Sequence, residues 1–296
     1  MIHKLVNRRK MSYLKKFPRP FAVLFFKFII ILDEILWTLR INLSIKIFGK
    51  KSEIGNVLKK LNTDGYAIFE KYYSDENIEK IKSECVKLLD KLPAEKIKSG
   101  EKIENLVLSN GLVVEKLKES IKIKGLNKFN LFFETISKNP KINKISNIYQ
   151  LTSSPVLIYN LVHDGKYSHP AVSSNTGKIM IAGQPHIDMS THTLRCALAL
   201  ENIEEHNGPT IVFKRSMKMK KLKKNYTNIF LETFGFNTKN ESGHNLDSND
   251  IKYLEKNSEK IKVVCKKGDL VLIDLKTAHY QSTLQKGQRH ILWHYC

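Results

Sequence analysis

Beyond Val156 the chain breaks into short β-prone runs parted by Gly, Pro and Asn, and this rhythm limits the fold more than any other feature. The runs are Val156–Tyr159, Ile179–Ile181, Cys196–Leu200, Thr210–Phe213, Ile261–Cys265, Leu270–Ile273 and Ile291–Tyr295. Many short strands closed by tight turns predict a barrel or jelly roll. A Lys-rich, partly helical insert at about 214–260 interrupts the series.

The strands are preceded by helical patterning. Asn62-Thr63-Asp64-Gly65 is turn chemistry, and Tyr66-Ala67-Ile68-Phe69 reads as a strand. Ser74 is placed to cap a helix whose first turn is acidic and whose apolar face is Ile78, Ile81, Cys85, Leu88 and Leu89. Helical pattern continues to about Tyr149, punctuated by Pro140. Lys50-Lys51-Ser52 reads as a junction, so residues 51–296 form one mainly β domain with helices, and residues 1–50 stand apart as a basic, apolar segment.

That segment has no Asp or Glu before Asp33, and Lys4, Arg8, Arg9, Lys10, Lys15, Lys16 and Arg19 lead into the apolar run Phe21–Leu32. A spanning helix would put Asp33 and Glu34 mid-membrane, at roughly +2.5 to +3.5 kcal/mol for an acid at the helix centre. No small-residue cleavage site follows the run, so a signal peptide is not expected. Two main readings stand: peripheral contact of residues 1–48 with an anionic membrane surface, or a helix pair packed on the domain. An organellar transit peptide fits less well, because the cations are mostly Lys. Every motif lies beyond residue 57, which predicts that a chain without residues 1–50 still folds.

The formal net charge is +21, and only seven of the 50 basic residues are Arg. Such an excess is compatible with a solvated surface, an anionic membrane or an acidic substrate. No nucleic-acid module accompanies the Lys runs, so nucleic acid is not an expected partner. Cys85, Cys196, Cys265 and Cys296 form no C-x-x-C pair and read as reduced thiols, which points to the cytoplasm.

The chemistry begins at His186-Ile187-Asp188. In an extended chain, residues i and i+2 share a face, so an imidazole and a carboxylate reach one point. The second element is Gly268-Asp269, an apolar strand from Leu270, and His279 beyond it. Two His and one carboxylate are the ligand set of non-haem iron(II) oxygenases, with positions left open for co-substrate and oxygen. Arg289 stands ten residues past His279, and its planar guanidinium matches a carboxylate with two parallel bonds. His192 shares parity with His186 and Asp188, which would allow a compact zinc site, although Thr191-His192-Thr193 reads as a turn.

Taken in order, these elements resemble the phytanoyl-CoA dioxygenase family over about residues 57–295. The opening Asp64-Gly65-Tyr66 with Ser74-Asp75-Glu76, the H-x-D, Ala197-Leu198 followed by Asn207-Gly208, then Gly268-Asp269, His279 and Arg289 are similar to the family's motifs. The resemblance implies a double-stranded β-helix of jelly-roll or cupin type flanked by N-terminal helices. It implies iron(II) on His186, Asp188 and His279, and 2-oxoglutarate and O2 as co-substrates. Arg289 would hold 2-oxoglutarate, with Gln281 and Ser282 beside it where many members carry a Ser. No catalytic residue is implied beyond the metal ligands. The intact Asp188 favours hydroxylation over halogenation. The expected substrate is a small molecule, anionic or lipid-like. The competing function is a catalytically idle jelly roll that binds a ligand or partner.

Overall fold

The structure is a computed structural model. It describes residues 18–49, 52–90, 104–107, 112–117, 120–150, 156–163, 170–172, 179–181, 183–233 and 244–295.

The strand β8 (Leu194–Ala199) shows how the domain is built. Its side chains alternate between two faces. Leu194, Cys196 and Leu198 join one buried cluster, and Ala197 and Ala199 join another. Strands β11 (Leu270–Asp274) and β13 (Gln288–Tyr295) flank it and divide the same way. Leu270, Leu272 and Leu292 face the first cluster, while Val271, Ile273 and Ile291 face the second.

These strands lie in an eight-stranded sheet in the order β1-β11-β8-β13-β5-β4-β3-β2. Here β1 is Tyr66–Phe69, β2 is Glu104–Val107, β3 is Val113–Leu117, β4 is Ser120–Lys124 and β5 is Val156–His163. A three-stranded sheet in the order β10-β9-β12 is formed by β9 (Thr210–Phe213), β10 (Lys260–Val263) and β12 (His279–Gln281). Strands β6 (Pro170–Val172) and β7 (Ile179–Ile181) pair separately. Ile203, Val212, Val263 and Cys265 fill the space between the large and small sheets together with Ala197, Val271 and Ile291. This is the jelly roll expected from the strand rhythm, with helices against its outer face.

The helical expectation up to Tyr149 is corrected in part. Helices α4 (Leu131–Ser137) and α5 (Pro140–Gln150) are present, but β2, β3 and β4 extend the large sheet before them. The sequence Ser120-Ile121-Lys122-Ile123-Lys124 alternates with period two, and Ile121 and Ile123 are buried. That pattern indicates a strand. The insert after β9 carries α6 (Lys223–Thr233) and α7 (Ser248–Asn257).

Among the described residues of the amino-terminal segment, Arg19–Phe48 forms one continuous helix, α1. Ala22, Phe26 and Ile30 pack with Tyr226 and Phe230 of α6, and Trp37, Ile41 and Ile45 join the cluster outside the large sheet. Helices α2 (Glu53–Asp64) and α3 (Asp75–Asp90) cover the same face, α3 through Ile78, Ile81, Cys85 and Leu88. Helix α2 ends at Gly65, whose φ of 83° is left-handed and whose added Cβ would meet the Thr277 side chain at 2.3 Å. Cys85, Cys196 and Cys265 are buried free thiols, and Cys296 lies outside the described residues.

Candidate metal centre

His186 and His279 are brought together by backbone pairing. Each donates its N–H to the other's carbonyl at 3.0 Å, an antiparallel bridge that adds the His186 segment to the edge of β12. Their rings therefore stand side by side, with centroids 4.6 Å apart. Asp188, two residues on, turns its carboxylate to the same point. Its Oδ1 is 3.5 Å from His186 Nε2, and its Oδ2 is 3.4 Å from His279 Nε2. One ligand atom from each residue lies within 4.8 Å of the others.

The ring orientations suit ligation. His186 Nδ1 donates to the Gln184 carbonyl and His279 Nδ1 to the Thr277 carbonyl, both at 2.8 Å. A proton held on Nδ1 leaves Nε2 with a free lone pair, and this tether is the usual orienter of a metal-bound imidazole. Burial, and next the neighbouring His279, push His186 down to about 4, so its ring is neutral near pH 7. Asp188 is held well below the usual carboxylate range. Burial acts to raise it, and the Arg195 guanidinium and the two imidazoles outweigh burial. Arg195 Nη2 stands 2.7 Å from Asp188 Oδ2. Two open imidazole nitrogens and an ionised carboxylate converging within bonding reach of one point fit a divalent transition metal.

Arg195 was not singled out by the sequence. Its signal is parity: it shares the inward face of β8 with Ala197 and Ala199. Its guanidinium also lies over the Trp293 ring, 5.4 Å from the centroid. Ile187, between the two ligands, is bracketed by the loop at His244, whose carbonyl accepts the Ile187 N–H at 2.9 Å.

Arg289 lies on β13 with the inward parity of Ile291 and Trp293, and only 1% of its surface is exposed. Its Nη1 donates to the Gly208 carbonyl. The Gln281 side-chain amide donates to the same carbonyl. Gln281 also pairs with Thr210 across β12 and β9. Gly208 has a left-handed φ of 76°, and a Cβ there would stand 3.0 Å from Arg289 Nη1, so glycine lets the guanidinium approach this turn. Arg289, Gly208, Thr210, Ala197, Ile291 and Trp293 line a narrow cavity between the sheets. Gln281 is two residues from His279 on one strand, about 7 Å along it. The Ser282 hydroxyl is directed elsewhere, to the Pro209 carbonyl at 2.8 Å.

Among the described residues no other histidine joins this cluster. His290 and His294 share the outward face of β13, and His290 Nδ1 is 2.6 Å from the Tyr159 hydroxyl. Both are lowered to about 4 by burial. His192 lies in the irregular segment just before β8 and is bonded through both ring nitrogens, Nδ1 to Asp274 at 2.5 Å and Nε2 to Glu34 at 3.1 Å. The compact zinc site is therefore not formed.

A jelly roll carrying two histidines and one carboxylate at the edge of its small sheet is the architecture of a non-haem metal oxygenase. The chain belongs to the phytanoyl-CoA dioxygenase (PhyH) family, whose model matches residues 61–283. Among solved structures it is similar to the epimerase SnoN in complex with Fe3+, alpha ketoglutarate and nogalamycin RO. That likeness has a TM-score of 0.52 and 14% identity, over 81% of this chain and 82% of that one. It is also similar to the apoform of EctD from S. alaskensis, with a TM-score of 0.50 and 13% identity over 80% of this chain and 74% of that one. At these identities the likenesses establish the fold. No curated protein matches the sequence.

Proposed function

We propose that this chain is an iron(II)- and 2-oxoglutarate-dependent dioxygenase that hydroxylates a C–H bond of a small, anionic or lipid-like molecule, acting in the cytoplasm. The observation that carries the reading is the convergence of His186, Asp188 and His279 with both Nδ1 atoms tethered to carbonyls. These three residues would hold the iron. When bound, iron with O2 and 2-oxoglutarate supplies the oxidising power for hydroxylation, releasing succinate and carbon dioxide.

The protein's own part is positioning. Arg289 and Gln281 direct two donors to one place, so a carboxylate arriving there would take the bonds now made to Gly208. The separation of about 7 Å along β12 from His279 suits a short dicarboxylate reaching from the metal to the guanidinium. Apolar walls from Ala197, Ile291 and Trp293 keep water out of the cavity and strengthen that pairing. Arg195 fixes the direction of the Asp188 carboxylate.

A second reading is a metal-free jelly roll that binds a ligand without turnover. It is favoured by the same Arg195 contact, which neutralises Asp188 without a metal. Iron binding measured by equilibrium dialysis, with succinate release over a panel of acyl thioesters, lipids and sugars, separates the two. Stoichiometric iron and 2-oxoglutarate-dependent succinate support the dioxygenase. A protein that takes up no iron, or holds iron yet never consumes 2-oxoglutarate, would overturn it.

A further inference from the structure

The face of α1 turned away from the domain is as apolar as the face turned in. Leu24, Phe28, Ile31, Ile35, Leu39 and Leu43 are 50–67% exposed, and Phe21 and Ile47 continue the stripe at either end. Their spacing follows the helical repeat, so they form one strip about 40 Å long at 1.5 Å per residue. Single exposed apolar residues are ordinary on a protein surface, but an unbroken stripe of this length marks a contact surface.

We propose that this stripe lies in the interface of an anionic lipid bilayer, with α1 parallel to the membrane plane. Among the described residues no helix is long and apolar enough to cross a membrane. The opposite face of α1 is occupied by the domain: Trp37 is buried against the core and Glu34 bonds Lys276 and His192. A helix fixed along the protein in this way meets a bilayer side-on. Charge selects the kind of bilayer. Residues 1–32 contain no acid, and six of their cations, from Lys4 to Lys16, directly precede the helix. Lys27 and Lys46 are exposed on α1 itself. Beside the carboxyl-terminal end of the stripe a groove is lined by Arg40, Ser44, Phe48, Asn143, Lys144 and Asn147, whose two cations suit lipid phosphate. Basic residues next to an anionic leaflet contribute about 1 kcal/mol each, and the apolar stripe adds burial in the acyl boundary. A second copy of the chain is disfavoured as the occupant, because it would bring another +21 charge to the same face.

Vesicle flotation of the full chain tests this without reference to catalysis, using phosphatidylserine–phosphatidylcholine vesicles against phosphatidylcholine alone. The expected result is binding to the anionic vesicles that falls at high salt. The variant Leu24→Gln/Phe28→Gln/Leu39→Gln should bind at least ~100-fold more weakly, since each exposed residue withdrawn from lipid forfeits more than 1 kcal/mol. It should keep the parent's melting temperature, because those side chains touch solvent. An independent variant, Arg8→Gln/Arg9→Gln/Lys10→Gln, leaves α1 untouched and should lose about 100-fold, at about 1 kcal/mol per charge. Equal binding to neutral and anionic vesicles, or a stripe variant that floats like the parent, would overturn the proposal. So would a parent dimer in sedimentation velocity that the stripe variant splits, because a second copy would then cover the stripe.

Discussion

Two buried polar clusters sit close together in this chain, each built around histidine and aspartate, and they differ in what their nitrogens are bonded to. In one, His186 and His279 spend Nδ1 on backbone carbonyls and leave Nε2 facing a shared carboxylate. In the other, His192 is bonded through both nitrogens, stacked on Trp37 with centroids 3.5 Å apart, and set beside Asp274, Glu34 and Lys276. Tyr149 closes the second cluster by donating to Asp274 at 2.9 Å. The first cluster keeps donor capacity in reserve and suits a metal. The second is satisfied within the protein and clamps α1 to the sheet. The presence of histidine and aspartate does not separate them; partner geometry does.

The largest expected effect breaks the comparison at the first cluster. His186→Ala, Asp188→Ala or His279→Ala should each remove stoichiometric iron binding and reduce succinate release by at least ~100-fold, since two remaining protein ligands hold a labile divalent ion poorly. His192→Ala should keep full iron stoichiometry while lowering the melting temperature. If His192→Ala loses the metal and His279→Ala keeps it, the roles of the two clusters are reversed.

Next in size is the clamp. Asp274→Ala removes the acceptor for His192 and Tyr149, and leaves a fully buried site unsatisfied. About 3–5 kcal/mol should be lost in urea unfolding, the usual cost of removing one partner from a buried charged network. Removal of residues 1–49 should be more damaging still, giving an insoluble or unfolded chain, because Trp37, Ile41 and Ile45 leave the core and Lys276 loses Glu34. This reverses the expectation from motif positions alone that residues 1–50 are dispensable. A soluble, two-state truncated domain would show that the clamp is peripheral to folding.

A third variant sharpens the co-substrate side. Arg289→Lys keeps the charge and loses the planar fork, so the 2-oxoglutarate concentration for half-maximal succinate release should rise about 10-fold or more, with iron binding unchanged. An unchanged 2-oxoglutarate titration would assign the carboxylate to another side chain.

The smallest effect is in acid. Burial opposes the charge on Glu34, and the bonds from His192 and Lys276 outweigh it, bringing the carboxyl from 4.5 to about 2. Because its folded value is depressed, Glu34 contributes stability that is fully present above about 4.5 and is lost as pH falls towards about 2. Stability measured down that window should fall less steeply in Glu34→Gln than in the parent. Parallel slopes would mean that Glu34 does not bear the linkage.

Much of this molecule is legible in its sequence. The strand Thr210–Phe213 and the turn at Gly65 follow from short-range pattern and turn chemistry. Strand β4 is hidden in the sequence although Ile121 and Ile123 alternate with Lys, because the surrounding Lys-rich stretch reads equally well as a helix face. Arg195 is hidden for another reason: its ion pair to Asp188 depends on the inward face of β8, which the local sequence does not set.

By itself the sequence determined the strand rhythm, the H-x-D with its distal His, and the order of motifs, because these depend on period, turn residues and spacing along the chain. The tertiary structure decided which histidines keep an open nitrogen. It placed Gln281 and Arg289 on one carbonyl and sent the Ser282 hydroxyl to Pro209. It also decided that α1 gives one apolar face to the core and leaves the other uncovered. Those outcomes rest on contacts between residues far apart in the chain, where strand register and side-chain direction, and not local propensity, set what each group meets.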